Sequence, residues 1–308
     1  MTTGSGTVLN VLSVDVEDYF HVEAFAAHVR HDEWDSFTPR VDRNVKRVLE
    51  LFAKYQTKAT FFVLGWVARK LPRLVRDIAG AGHEIGSHGY RHQRLHHLTP
   101  DKFRRDISDA AAVLTDQIQR PIRCYRAPSF SIVRTTVWAL DILGEEGITF
   151  DSSIFPVRHD LYGFPEAERF PSWYVLESGH QIFEFPPSTV RYCGQNIGVG
   201  GGGYLRLLPY AVTCRALNHI NGVQLEPAMV YFHPWEIDPD QPRIRAGCRS
   251  SLRHYLNLST MERKIERLLQ DFRFSTLSDV CSRHKAYQAA PPSTKTEIHA
   301  SAAAAATR

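Results

Sequence analysis

Short runs rich in β-branched and apolar residues alternate along this chain with amphipathic helical patterns, and few folds accommodate such an alternation. Residues 8–14 form the first run; Val41, Val45, Val48, Leu49 and Phe52 then share one helical face, and residues 59–64 form a second run. A helix is predicted over 67–79, and Gly82 separates it from a short run at 83–87. Thr99 and Pro100 mark the clearest helix start, an N-cap residue followed by proline at the first helical position. Phe103, Ile107, Ala111, Leu114 and Ile118 face inward along that helix until Pro121 stops it. Runs at 123–126 and 148–152 flank a helix over 136–146 that Gly147 closes. Strands joined by helical crossovers pair in parallel, so the pattern predicts one parallel α/β sheet or barrel.

The pattern loosens from 154 to about 196, where prolines at 156, 165, 171, 186 and 187 surround one extended run at 181–185; this stretch reads as loops and β-ribbon laid over the scaffold. A helix over 205–218, a strand at 229–233, a helix over 261–271 and an apolar stretch at 274–281 follow. Residues 287–308 are low in aromatics and are expected to form a disordered tail, which leaves 1–286 as a single domain. With 308 residues, 43% of them hydrophobic, the chain can bury a full core. Its net charge of +4 is spread along the sequence, which gives no basic stripe for nucleic acid. The polar start and the strand-length apolar run after it predict neither a signal peptide nor a membrane span. Five widely spaced cysteines without a C-x-x-C pair suit a reducing cytoplasm.

Several chemically capable residues stand at the ends of predicted strands. Asp15, Glu17 and Asp18 follow the first run; acidic residues there are often helix caps, but close carboxylates repel one another unless a cation sits among them. His88 and His92 are four apart, so a helical turn would bring both imidazoles to one ion, and two histidines with one carboxylate leave a metal position open for water. Arg126 could pair with a buried carboxylate or lie at the surface before Pro128. Asp151 could cap a turn, and His233 could be a hydrogen-bonded core residue. Taken together, these groups share the C-terminal rim of a parallel barrel, the face where such folds assemble active sites. The glycine run 200–203 lacks the following Gly-Lys-Ser/Thr of a phosphate loop; it reads as a tight loop or a close backbone approach to a sugar.

The segments SVDVED, SHGYRH, RAPSF, DSSIFP and MVYFHPW resemble, in order and approximate spacing over residues 8 to 280, the five motifs of the polysaccharide deacetylases of carbohydrate esterase family four, the NodB-like domain. VDVEDYF, DSSIFP, GGGGYLRLLPY and FHPWEIDP look like the deacetylases found beside exosortase-type exopolysaccharide gene clusters. The resemblance implies a distorted parallel (β/α) barrel of seven strands with an added loop and β-ribbon region from about residue 154. It also implies an enzyme that removes acetyl groups from N-acetylated oligo- or polysaccharides, using a divalent metal, expected to be Zn2+.

Carried over to this sequence, the resemblance makes His88 and His92 metal ligands, Asp15 the general base, His233 the general acid, Arg126 the partner of Asp15 and Asp151 the group that holds His233 in its tautomer. The family's first motif has two adjacent aspartates, base and ligand, whereas Val16 follows Asp15 here. If the strand continues, period-two alternation puts Glu17 beside Asp15 as the third ligand; if the chain turns at Val16, Asp18 takes that place. Tyr204 and Trp235 are candidates for stacking on sugar rings. The competing readings are an amidohydrolase acting on a small amide or ureide and a sugar-binding protein without catalysis.

Overall fold

The computed structural model describes residues 8–159, 162–289 and 291. Its strands are β1 (Leu9–Val16), β2 (Thr60–Val63), β3 (Glu84–Ser87), β4 (Cys124–Tyr125), β5 (Phe150–Asp151), β6 (Ser172–Val175), β7 (Gln181–Glu184), β8 (Thr189–Tyr192), β9 (Gln195–Gly198), β10 (Met229–Phe232) and β11 (Arg273–Ser275). The main sheet runs β10-β1-β2-β3-β4-β5-β7-β6, with β11 added to the start of β1. All neighbours from β10 to β7 pair in parallel, and β6 is antiparallel to β7. The arc is thus the expected distorted barrel. Seven strands form its parallel run, and β6 and β11 bring the sheet among the described residues to nine. The expected β-ribbon is the separate hairpin β8-β9.

Alternation along β1 sorts its side chains into two layers. Leu12, Val14 and Val16 pack outward with the helices, against Val45, Val48 and Phe52 of the helix Val41–Lys54. Val11 faces inward with Phe62, Phe150, Phe183 and Met229, and Leu277, Val280 and Cys281 of the helix Leu277–Arg283 join this inner cluster. Burying one such aromatic or aliphatic side chain contributes about 1.5–3 kcal/mol. These layers hold the strand ends at a fixed rim.

Proline divides two elements that hydrophobic periodicity read as continuous. The helix predicted over 67–79 is two, Gly65–Lys70 and Pro72–Gly80, because Pro72 lacks an N–H to continue the ladder and instead starts the second. Pro209 likewise separates Gly202–Leu207 from Tyr210–Gly222. At the other end, the helix Lys285–Gln288 takes in the first residues of the expected tail, and the ring of Tyr287 stacks on Trp173. The remainder of that tail, apart from residues 288, 289 and 291, lies outside the described residues. Among the described residues no helix is long and apolar enough to cross a membrane.

The glycine run lies against the outer edge of β10. Gly201 bridges Tyr231 in parallel, and a Cβ at Gly201 would sit 2.2 Å from the Tyr231 ring and 2.5 Å from its carbonyl oxygen. A Cβ at Gly200 would meet the Met229 carbonyl at 2.2 Å. The close backbone approach predicted for this run is therefore to a strand of the barrel itself. Because a backbone carbonyl cannot swing aside as a side chain does, Gly201→Ala is expected to destabilise the fold by about 1–3 kcal/mol. Urea unfolding would measure it, and a midpoint equal to that of the parent chain would refute the packing argument.

Candidate active site

β1 delivers two carboxylates to the rim. The strand ends in a tight turn, with the Glu17 N–H donating to the Asp15 carbonyl at 2.9 Å. Glu17 nevertheless stays beside Asp15 in the cleft. Asp18 turns away: its Oδ2 accepts the N–H groups of Arg40 and Val41 at 2.6 and 2.9 Å, and its Oδ1 accepts that of Tyr19 at 2.9 Å. It caps the helix that begins at Val41. Of the two acidic candidates, Glu17 is the one that meets the histidines.

His88 and His92 converge without the helical turn that their spacing suggested. They lie on a loop after β3 in which Gly89 (φ +72) and His92 (φ +51) are left-handed. The Asp106 carboxylate accepts the N–H groups of Tyr90 and Arg91, and the N–H groups of Gly65 and Trp66 donate to the carbonyls of Gly89 and Tyr90. So tethered, the loop brings Nε2 of His88 to 3.1 Å and Nε2 of His92 to 3.0 Å from one oxygen, Glu17 Oε1. One ligand atom from each of the three residues lies within 4.8 Å of the others, and all three residues are buried.

The hydrogen bonding around this triad fits a cation. Nδ1 of His88 faces the Arg126 carbonyl at 2.8 Å; a carbonyl only accepts, so Nδ1 carries a hydrogen and Nε2, the atom turned toward Glu17, is the one placed to ligate a cation. Burial would raise the Glu17 pKa, but the imidazoles of His92, His233 and His88 outweigh it and hold the carboxyl well below its ordinary range. Two imidazoles and an ionised carboxylate are a donor set suited to a divalent ion with an open position.

Arg126 is fully buried behind Asp15. Its Nη1 donates to Asp15 Oδ1 at 2.6 Å and to Ser13 Oγ at 2.9 Å, its Nε to the Ser152 carbonyl at 3.1 Å and its Nη2 to Ser152 Oγ at 3.0 Å. The guanidinium also lies 4.3 Å from the Phe62 ring centroid. Fixing Oδ1 in this way leaves Asp15 Oδ2 toward the cleft, 3.9 Å from His233 Nε2. His233 Nε2 is also 3.8 Å from Glu17 Oε1. Burial disfavours its imidazolium, but Glu17, Glu236 and Asp15 prevail and push its pKa up to about 9.

Asp151 does not perform the task that the motif pattern assigns to it. Nδ1 of His233 faces Glu236 Oε2 at 3.1 Å, whereas Asp151 accepts from Ser153 Oγ at 2.6 Å. Asp151 is instead paired with Glu184, its neighbour across β5 and β7. Burial raises Asp151 to about 6 against the opposing effect of Glu184 and Ser153, and burial together with the Asp151 charge raises Glu184 well above the ordinary carboxylate range.

The groups open into a cleft of about 430 Å³ whose walls include Phe130, Tyr162, Tyr204, Tyr231 and Leu207. Tyr204 is half-buried and lines this space. Trp235 also lines the cleft but is 3% exposed, with its ring stacked on His233 and on His254 at 5.2 and 4.2 Å between centroids. Sequence reasoning missed Glu236, Arg206 and Glu184. For Glu236 a signal existed, since a glutamate three residues after His233 is the spacing of a capping box.

What the fold and these residues define is a parallel α/β barrel with a His-His-carboxylate centre at its C-terminal rim. Residues 33–148 match the family model for polysaccharide deacetylase, and residues 152–282 match that of a domain of unknown function (DUF3473). A peptidoglycan-N-acetylglucosamine deacetylase of Bacillus cereus is 28% identical over 131 residues, which cover 38% of this chain and 44% of that protein. The chain thus spans less than half the length of this relative. A Mycobacterium smegmatis crystal structure named for polysaccharide deacetylase shares the fold over 96% of both chains, at 17% identity and a TM-score of 0.62. The allantoinase Puue does so over 91% of this chain and 92% of its own, at 16% identity and a TM-score of 0.59. The polysaccharide deacetylase match thus lies in the segment that carries His88, His92 and Arg126, and the Bacillus cereus relative is similar to this chain over less than half of either length.

Proposed function

We propose that this chain hydrolyses acetamide groups on N-acetylated sugars, releasing acetate and a free amine, and that its substrate is an exopolysaccharide. The observation that carries the reading is the convergence of Glu17, His88 and His92 within 4.8 Å, beside Asp15 and His233 in a single cleft. The aromatic walls suit sugar rings, and the family model and the Bacillus cereus relative point to the same bond. The exopolysaccharide rests on the motif resemblance.

Glu17, His88 and His92 would hold a divalent ion, with Zn2+ the proposed one. When bound, it polarises an amide carbonyl and acidifies water. Asp15 Oδ2 accepts the proton of the attacking water, because Oδ1 is tied to Arg126 and the carboxylate is held in one orientation. His233 Nε2 then gives a proton to the sugar nitrogen as the carbon–nitrogen bond breaks, which an amide requires because it leaves poorly as an anion. The elements of water end on the two products, the hydroxyl on acetate and the hydrogen on the amine.

Stripping the protein with a chelator is expected to lower acetate release from N-acetylglucosamine oligomers by at least roughly 100-fold, the effect of losing several kcal/mol of charge stabilisation, and added Zn2+ should restore it. Undiminished turnover in the stripped protein would refute the metal mechanism. Faster turnover of small amides or ureides than of any acetylated oligosaccharide would redirect the substrate assignment.

A further inference from the structure

We propose that the segment matching the domain of unknown function supplies a clamp for His233, in which Arg206 fixes Glu236 and Glu236 fixes the Nδ1 side of the imidazole, so that Nε2 is presented to the cleft. Glu236 is fully buried and both its oxygens are committed. Oε2 accepts the His233 backbone N–H at 2.9 Å and lies 3.1 Å from His233 Nδ1; Oε1 accepts from Arg206 Nε at 2.6 Å. Arg206 is itself buried, and its Nη1 donates to the carbonyls of Arg253 and His254 at 2.9 and 2.6 Å. Its helix, Gly202–Leu207, starts directly after the glycine that bridges β10, so the glycine run also sets where the guanidinium lies.

A glutamate serving only as a helix cap needs one oxygen on one N–H. Here the same oxygen also meets the ring, and the other is held by a buried cation, the arrangement that fixes an imidazole's orientation and the position of its proton. Asp15 and Glu17 stand on the Nε2 side of the ring, and Asp151 is engaged with Ser153 and Glu184. Glu236 and Arg206 are thus positioning residues that act through His233. The proposal rests on the deacetylase reading only for the reaction in which Nε2 is used.

The test combines Glu236→Gln, Arg206→Lys, proton NMR of the imidazole N–H groups and steady-state kinetics on N-acetylglucosamine oligomers. Glutamine keeps the shape and the backbone cap but loses the charge. The clamp predicts that the hydrogen-bonded Nδ1–H signal of His233, assigned by its loss in His233→Gln, moves or exchanges away in Glu236→Gln. It also predicts that kcat falls by roughly 100-fold or more while KM stays within about twofold. Glu236→Asp should recover part of the loss. A purely structural role would leave the signal in place and kcat within about threefold, which overturns the proposal. If Glu236→Gln does not fold, Arg206→Lys, which keeps the charge and loses the fork, is judged on the same signal and kcat. If the parent chain releases no acetate, the deacetylase reading fails, and an Nδ1–H signal unchanged by Glu236→Gln would still separately overturn the clamp.

Discussion

Asp15→Asn is expected to reduce turnover of acetylated oligosaccharides by about 100- to 10,000-fold while bound metal stays close to that of the parent chain. The two halves of the result have separate causes. Asparagine keeps the size of the side chain and an oxygen for the Arg126 Nη1 bond, so the rim retains its shape, but it has no basic oxygen to take a proton. Glu17, His88 and His92 are untouched, and they are the residues whose donor atoms converge. Metal content by elemental analysis and kcat on one sample decide the matter: loss of metal would make Asp15 a ligand, and full turnover would remove it as the base.

Period-two alternation along β1 put Asp15 and Glu17 into one site, and the structure brings them there, although by a turn at Val16 that alternation does not describe. The choice against Asp18 was not legible, because it depends on Arg40 and Val41, more than twenty positions away, offering their N–H groups to its carboxylate. The barrel was readable because strands and helices bury apolar residues at distinct periods. The two split helices were readable in principle, since Pro72 and Pro209 stood in view, but hydrophobic periodicity runs across both breaks. Histidine spacing picked out a pair that the structure does bring together, but not by a helical turn, since His88 and His92 meet through a left-handed loop tied to Asp106. The partner of His233 was misassigned to Asp151 because motif order says which strand end a residue occupies and nothing of which neighbour its carboxylate faces. Glu236 had only a local cap spacing to announce it, and its partner Arg206 lies 30 residues upstream.

Arg126→Met is expected to destabilise the metal-free protein by about 3–5 kcal/mol, the loss seen when one member of a buried ion pair is removed. Methionine fills much of the same space, so the cost is electrostatic rather than that of a cavity. Arg126 is fully buried and Asp15 is 2% exposed, so the carboxylate left behind has little water to replace the guanidinium. The Ser152 carbonyl, which accepts from Arg126 Nε, loses that bond as well. Against a total stability of about 5–15 kcal/mol such a loss would be plain in urea unfolding, and soluble yield should fall with it. The double variant Arg126→Met/Asp15→Asn separates the pair from its surroundings: with the stranded charge gone, it should recover about 1–3 kcal/mol relative to Arg126→Met while remaining inactive. Simple addition of the two single effects would mean that the ion pair contributes no coupling, and that Arg126 holds the rim through the serines alone.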